Sequence, residues 1–127
     1  FYHSTTTNCG SITVGSSATA FNTSSDYRLK ENVTDMSGAI TRVKALQPKR
    51  FSWIADEDNE LLDGFLAHEV DDVVPQAIHG EKDAMKDGEP SYQGIDQSKL
   101  VPLLTGALQE AIAQIESLEA RVAALET

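Results

Sequence analysis

No Asp, Glu, Lys or Arg occurs in residues 1–25 of this 127-residue chain, so the whole formal charge of −10 falls on residues 26–127. With 10 Lys and Arg against 20 Asp and Glu, the clustered cations that displace counterions from phosphate are missing, which argues against a nucleic-acid partner. An anionic membrane surface is disfavoured for the same reason. Cys9 is the one cysteine, so neither an intrachain disulfide nor a cysteine-based zinc site can staple the fold. Apolar runs are only a few residues long, far below the ~20 needed for a membrane-spanning helix. Phe1 is not a natural start and no basic-then-apolar leader is visible, so the sequence reads as part of a longer chain. The length suits one small domain with appendages.

The uncharged segment alternates small polar residues with isolated apolar ones. Ile12-Thr13-Val14 and Ala18-Thr19-Ala20-Phe21 read as short strands, with Gly10 and Gly15 as punctuation. Such a segment is either a linker or the last strands of an intertwined fibre completed by other copies of the chain.

Beyond Asp35 the period changes. Ile40, Val43 and Leu46 recur at helical spacing after the candidate caps Asp35 and Ser37, and Pro48 stops the run, predicting a helix over about 37–46. Residues 49–54 and 64–67 suit two strands, joined by the acidic loop Asp56-Glu57-Asp58-Asn59-Glu60. That loop invites a calcium reading, but Leu61 occupies the position where the sharp turn requires glycine. His68-Glu69 opens a short helix stopped by Pro75, and Asp72 stands where a zinc-protease helix needs its second His, so no metal site is expected. Residues 79–90 are polar and turn-rich, His79 reads as a loop residue, and Tyr92 to Ile95 suits a last strand. Phe51, Trp53, Phe65, Leu66 and Val70 are expected to be buried together, since their segments are the ones rich enough to make a core.

Asp96 can cap a final helix. From there Val101, Leu104, Leu108, Ala111, Ile115, Leu118, Val122 and Leu125 recur at alternating steps of three and four, an unbroken heptad seam. Pro102 and Gly106 are expected to weaken or kink its first turns. The seam could be buried on the chain's own domain. Arg121 at a g position and Glu126 at the next e position instead suit pairing between parallel chains, and Ile112 at an e position widens the apolar face towards three strands. The fold class expected is α+β, a small mixed domain of short strands and helices ending in a long helix that forms a parallel trimeric coiled coil.

Chemistry concentrates at the junction Ser24-Ser25-Asp26-Tyr27-Arg28-Leu29-Lys30, where a hydroxyl on Ser25 and an amine on Lys30 supply the pair used in serine-lysine peptide cleavage. The spacing alone is a short and common motif. A lysine titrates ordinarily at about 10.4, so a base at position 30 needs desolvation or a cation such as Arg28 beside it. Five residues apart, the two side chains lie on different faces of a helix or strand, so a turn or a second subunit must bring them together.

Four blocks then carry a resemblance: residues 25–32 (Ser-Asp-Tyr-Arg-Leu-Lys-Glu-Asn), 46–51 (Leu-Gln-Pro-Lys-Arg-Phe), 64–70 (Gly-Phe-Leu-Ala-His-Glu-Val) with Pro75 and Ala77, and 100–104 (Leu-Val-Pro-Leu-Leu). In register over residues 25–127, they resemble the intramolecular chaperone auto-processing domain at the C-terminus of phage tail spikes, tail fibres, endosialidases and neck appendages, also found in the myelin regulatory factor. The resemblance implies that residues 1–24 end an upstream fibre or spike and that residues 25–127 are the chaperone, with 97–127 as its coiled-coil helix. It implies a homotrimer whose folding client is the upstream segment of the same chain. It also implies a self-cleaving endopeptidase with Ser25 as nucleophile, Lys30 as base and Ser24-Ser25 as the bond cut, in cis or between copies. Asp26, Arg28, His68 and Glu69 would support the site, with His68 standing where the family commonly has Gln. No cofactor and no metal are implied. Assembly would take place in the host cytoplasm, leaving the fibre in the virion tail and the chaperone released. The alternative is a structural trimerisation tip that stays on the fibre, with receptor contact through its acidic loops.

Overall fold

The computed structural model describes residues 9–127. The part of the proposed 1–24 segment before Cys9 lies outside them. The chain divides into two compact units, Phe1–Asp35 and Met36–Thr127.

In the first unit, β1 (Gly10–Val14) and β2 (Thr19–Thr23) form an antiparallel hairpin, closed by Gly15 N–H donating to Ala18 O at 2.8 Å. Both strands expected from the alternation are present. The ladder runs one step further, with Ser24 N–H donating to Cys9 O at 3.2 Å. A single 3-10 turn, Tyr27–Leu29, follows.

The second unit is built on α1 (Ala39–Ala45) packed against α3 (Val101–Glu126). Between them in sequence come the hairpin of β3 (Lys49–Phe51) and β4 (Leu62–Gly64), then α2 (Ala67–Asp71) and a 3-10 turn at Pro75–Ala77. β5 (Ile78–His79) pairs with β8 (Gly94–Ile95), and β6 (Met85–Lys86) with β7 (Glu89–Pro90), all antiparallel. His79, read as a loop residue, is therefore in a strand, and the turn-rich stretch hides a hairpin too short and polar to leave a periodic signal.

The buried set is Ala39, Val70, Val74, Ala77, Leu100, Leu103 and Ala107. Of the expected core, Val70 belongs to it and Phe65 packs partly against it. Trp53 is 62 % and Leu66 43 % exposed, which corrects the expectation for the single chain. The reason is geometric: β3 and β4 pair over only three residues each, and among the described residues their sheet has just these two strands, too small a platform to enclose the aromatic side chains. Phe51 and Trp53 meet edge to face, with centroids 5.2 Å apart.

Neither Asp35 nor Ser37 caps α1. The cap is Gly38, at φ 69°, a left-handed conformation that suits glycine. It offers no side chain, and the missing acceptor comes from α3, whose Glu110 carboxylate accepts the N–H groups of Ala39 at 3.0 Å and Ile40 at 2.8 Å. Those two bonds, first Ile40 and then Ala39, hold the Glu110 carboxyl below the usual carboxylate range. Arg42 Nη2 donates to Val73 O at 3.1 Å and ties α1 to the segment after α2.

α3 starts as expected: Asp96 accepts the N–H of Ser98 and caps a 3-10 turn, Gln97–Leu100, that runs into the helix. Pro102 does not kink it, because in the first turn a missing N–H costs no intrahelical bond. Gly106 lets α1 approach, since a Cβ there would stand 3.2 Å from Ala39 Cβ. The helix thus meets its own chain through Leu103, Gly106, Ala107 and Glu110. The heptad seam lies on another stripe, and apart from half-buried Ala111 it is exposed, with Ile115 at 54 % and Leu118 at 53 %. The reading in which the chain buries this seam on itself is thereby corrected.

Candidate functional site

In the first unit a short segment turns back on itself. Asp26, in extended conformation, caps the Tyr27–Leu29 turn by accepting the N–H of Arg28 at 2.9 Å, and Lys30 N–H closes the turn onto Tyr27 O at 3.1 Å. The reversal carries the Lys30 side chain back along the segment. Its Nζ donates to Ser25 Oγ at 2.7 Å. Of the two routes open to residues five apart, a turn within one chain is therefore the one seen. In the same geometry a neutral amine would accept the hydroxyl proton.

Asp26 and Arg28 form the frame of this turn. Arg28 Nε donates to Asp26 Oδ1 at 2.9 Å and its Nη2 to Oδ2 at 2.8 Å, a two-pronged pair. The guanidinium beside it keeps the Asp26 carboxyl below its ordinary range, and the carboxylate raises the Arg28 guanidinium further above its own. Arg28 was one candidate for a cation beside Lys30, the other route being desolvation. Its charge is instead compensated by Asp26, so its contribution here is to shape the turn. All four side chains are exposed in the single chain.

His68 and Glu69 belong to α2 in the second unit. Glu69 Oε2 has no hydrogen-bond partner, although Lys49 Nζ stands 3.6 Å away as an ion-pair partner. At that separation the pair is electrostatic without a formed hydrogen bond. His68 lines an open cleft of about 600 Å³ with Asp83, Ser91 and Gln93 among others, and Gln93 Nε2 there also lacks a partner. A second cleft of about 660 Å³, lined by Phe51, Trp53, Phe65, Leu66 and Tyr92, marks the uncovered aromatic face. Among the described residues no group of His, Cys, Asp and Glu could hold a metal ion, and no helix is long and apolar enough to cross a membrane.

Sequence reasoning missed Glu110, whose role depends on a helix seventy residues away, and no local signal marks it. In the acidic loop, the Asp56 carboxylate accepts the N–H groups of Asp58 and Glu60 at 3.1 and 2.8 Å, so this side chain shapes a turn.

A search of curated proteins gave no match. Residues 25–79, which begin at Ser25 and run through the turn, the β3–β4 hairpin and α2, match the model of the Peptidase_S74 family, described as chaperone of endosialidase.

Proposed function

We propose that this chain is a self-releasing assembly chaperone. It trimerises through α3, aligns the segment upstream of Ser25 and then cuts the Ser24-Ser25 bond. The observation that carries the reading is the 2.7 Å contact between Lys30 Nζ and Ser25 Oγ at the first residues of the family segment.

Neutral Lys30 would take the Ser25 hydroxyl proton as Oγ attacks the Ser24 carbonyl carbon, forming a C–O bond. Breaking the C–N bond then requires a proton on the departing nitrogen, which Lys30 returns, leaving an ester on Ser25 and its free α-amine. Water hydrolyses that ester to a Ser24 carboxylate and restores the Ser25 hydroxyl. Since Ser25 contributes both the attacking oxygen and the leaving nitrogen, the reactants are joined and no substrate need bind. Asp26 and Arg28 hold the turn. The exposed dyad still requires desolvation, and burial among assembled chains would supply it, coupling release to assembly.

Support for the trimer comes from the continuous exposed seam, whose lower half forms a shallow apolar groove at Ile115, Leu118 and Val122. Denaturing mass measurement of the expressed chain tests the proposal. A product beginning at Ser25 supports it, whereas an intact chain with native Ser25 and Lys30 favours a structural tip that stays attached.

A further inference from the structure

The β1–β2 hairpin has two chemically different faces. Its register sets Ile12 opposite Phe21 and Val14 opposite Thr19. Directly opposed residues share a face and successive residues alternate, so Ile12, Val14 and Phe21 lie on one side. They are 48 %, 76 % and 79 % exposed. The other side carries Ser11, Thr13 and Asn22, and the Asn22 amide donates to Ser11 Oγ at 3.3 Å and Thr13 Oγ1 at 3.2 Å. That side is satisfied in water. The apolar side is not, and a lone two-stranded hairpin is marginally stable at best.

We infer that the Ile12–Val14–Phe21 face is an interface between copies of this chain, each hairpin covering the same face of its neighbours. Charge selects the occupant. Residues 1–25 hold no charged side chain, while the rest of the chain carries the entire excess of ten negative charges. Like-on-like contact there brings no acids together, whereas a homotypic contact through the acidic remainder is opposed by self-repulsion. The knitted Ser-Thr-Asn side then faces solvent, which fixes which way each hairpin turns. The inference rests on the assembly reading, because the α3 seam is what gathers the copies. It adds an interface that lies upstream of Ser24-Ser25 and so stays with the upstream piece once that bond is cut.

The test uses the full chain with Cys9→Ser, with Ser25→Ala to keep the hairpin attached, and with one new cysteine at a time, treated with a short bismaleimide and run on a denaturing gel. Val14→Cys samples the apolar face, its neighbour Thr13→Cys the polar face, and Leu118→Cys the seam. Covalent dimer is expected from Val14→Cys and Leu118→Cys, with loss of that band in Thr13→Cys and in Val14→Cys combined with Phe21→Ser. Dimer from Leu118→Cys but none from Val14→Cys overturns the hairpin interface and leaves the assembly reading standing. No dimer from either overturns both, and equal dimer from Val14→Cys and Thr13→Cys overturns the assignment of the face.

Discussion

Glu110 caps a helix that begins seventy residues earlier: its carboxylate accepts the backbone N–H of Ile40 at 2.8 Å while its neighbouring oxygen takes Ala39. One side chain of α3 thereby completes α1. Because these bonds hold the Glu110 carboxyl below its ordinary range, the stability they contribute is present above the unfolded-state value, about 4.3 for a glutamate, and is lost as pH falls through the folded one. Glu110→Gln, which has a single acceptor oxygen, is expected to melt earlier at neutral pH and to show a smaller fall in Tm on acidification than the native chain. Parallel Tm against pH curves for the two proteins would contradict the cap.

Ser25→Ala removes one oxygen from an exposed turn whose frame is Asp26 and Arg28. Cleavage is expected to stop while the oligomer remains. Lys30→Arg is expected to stop it as well, because a guanidinium does not deprotonate near neutral pH. Mass measurement and sedimentation on one sample check both parts, and processing by either variant removes the dyad from the account.

Asp at both Ile115 and Leu118 places charge on the seam without touching the chain's own core, since both residues are half exposed in the single chain. The outcome expected is a folded monomer that does not cleave. A monomer that cleaves at the native rate would break the proposed link between assembly and release.

In that monomeric background, burial ranks two truncations. Leu103, 2 % exposed against α1, is expected to lose about 2 to 5 kcal/mol on replacement by Ala. Trp53→Ala, at 62 % exposure, is expected to lose less than about 1 kcal/mol, as surface changes usually do. Denaturant titrations compare them directly, and a larger loss at Trp53 would return the aromatic hairpin to the core.

Gly106→Leu is expected to destabilise by about 1 to 3 kcal/mol despite the better helix propensity of Leu, because even its Cβ would press on Ala39. Thermal melts of the two chains decide it; a stabilised variant would show that α1 can withdraw freely.

The elements most legible in the sequence were those with local causes. The β1–β2 alternation, the Asp96 cap and the heptad helix each depend on neighbouring residues, and each is present. For Ser25 and Lys30 the sequence left two routes open, a turn or a second subunit, and the single chain shows the turn. What failed were judgements that depend on which surface meets which. Trp53 and Leu66 were placed in the core because their segments are the ones rich enough to make one, yet in the single chain the packing centres on Ala39, Gly106 and Ala107, small residues that allow two helices to approach and that leave almost no hydropathic mark. Pro102 was read as a defect because the helix was started after Asp96, whereas residues 97–100 form a 3-10 turn and α3 begins at Val101. That Asp26 pairs with Arg28, two residues away, also left no mark in the sequence.

The packing of α3 within its own unit ends near Glu110, whereas residues 112–126 continue as an exposed helix for roughly 22 Å at 1.5 Å per residue. Within its own unit that distal length packs on nothing that buries it. It can grow or shrink by whole heptads while α1, the cap and the core stay as they are, so under the proposed assembly the grip between copies would be strengthened or relaxed by counting repeats. The helix works as an adjustable shaft fixed in a constant socket.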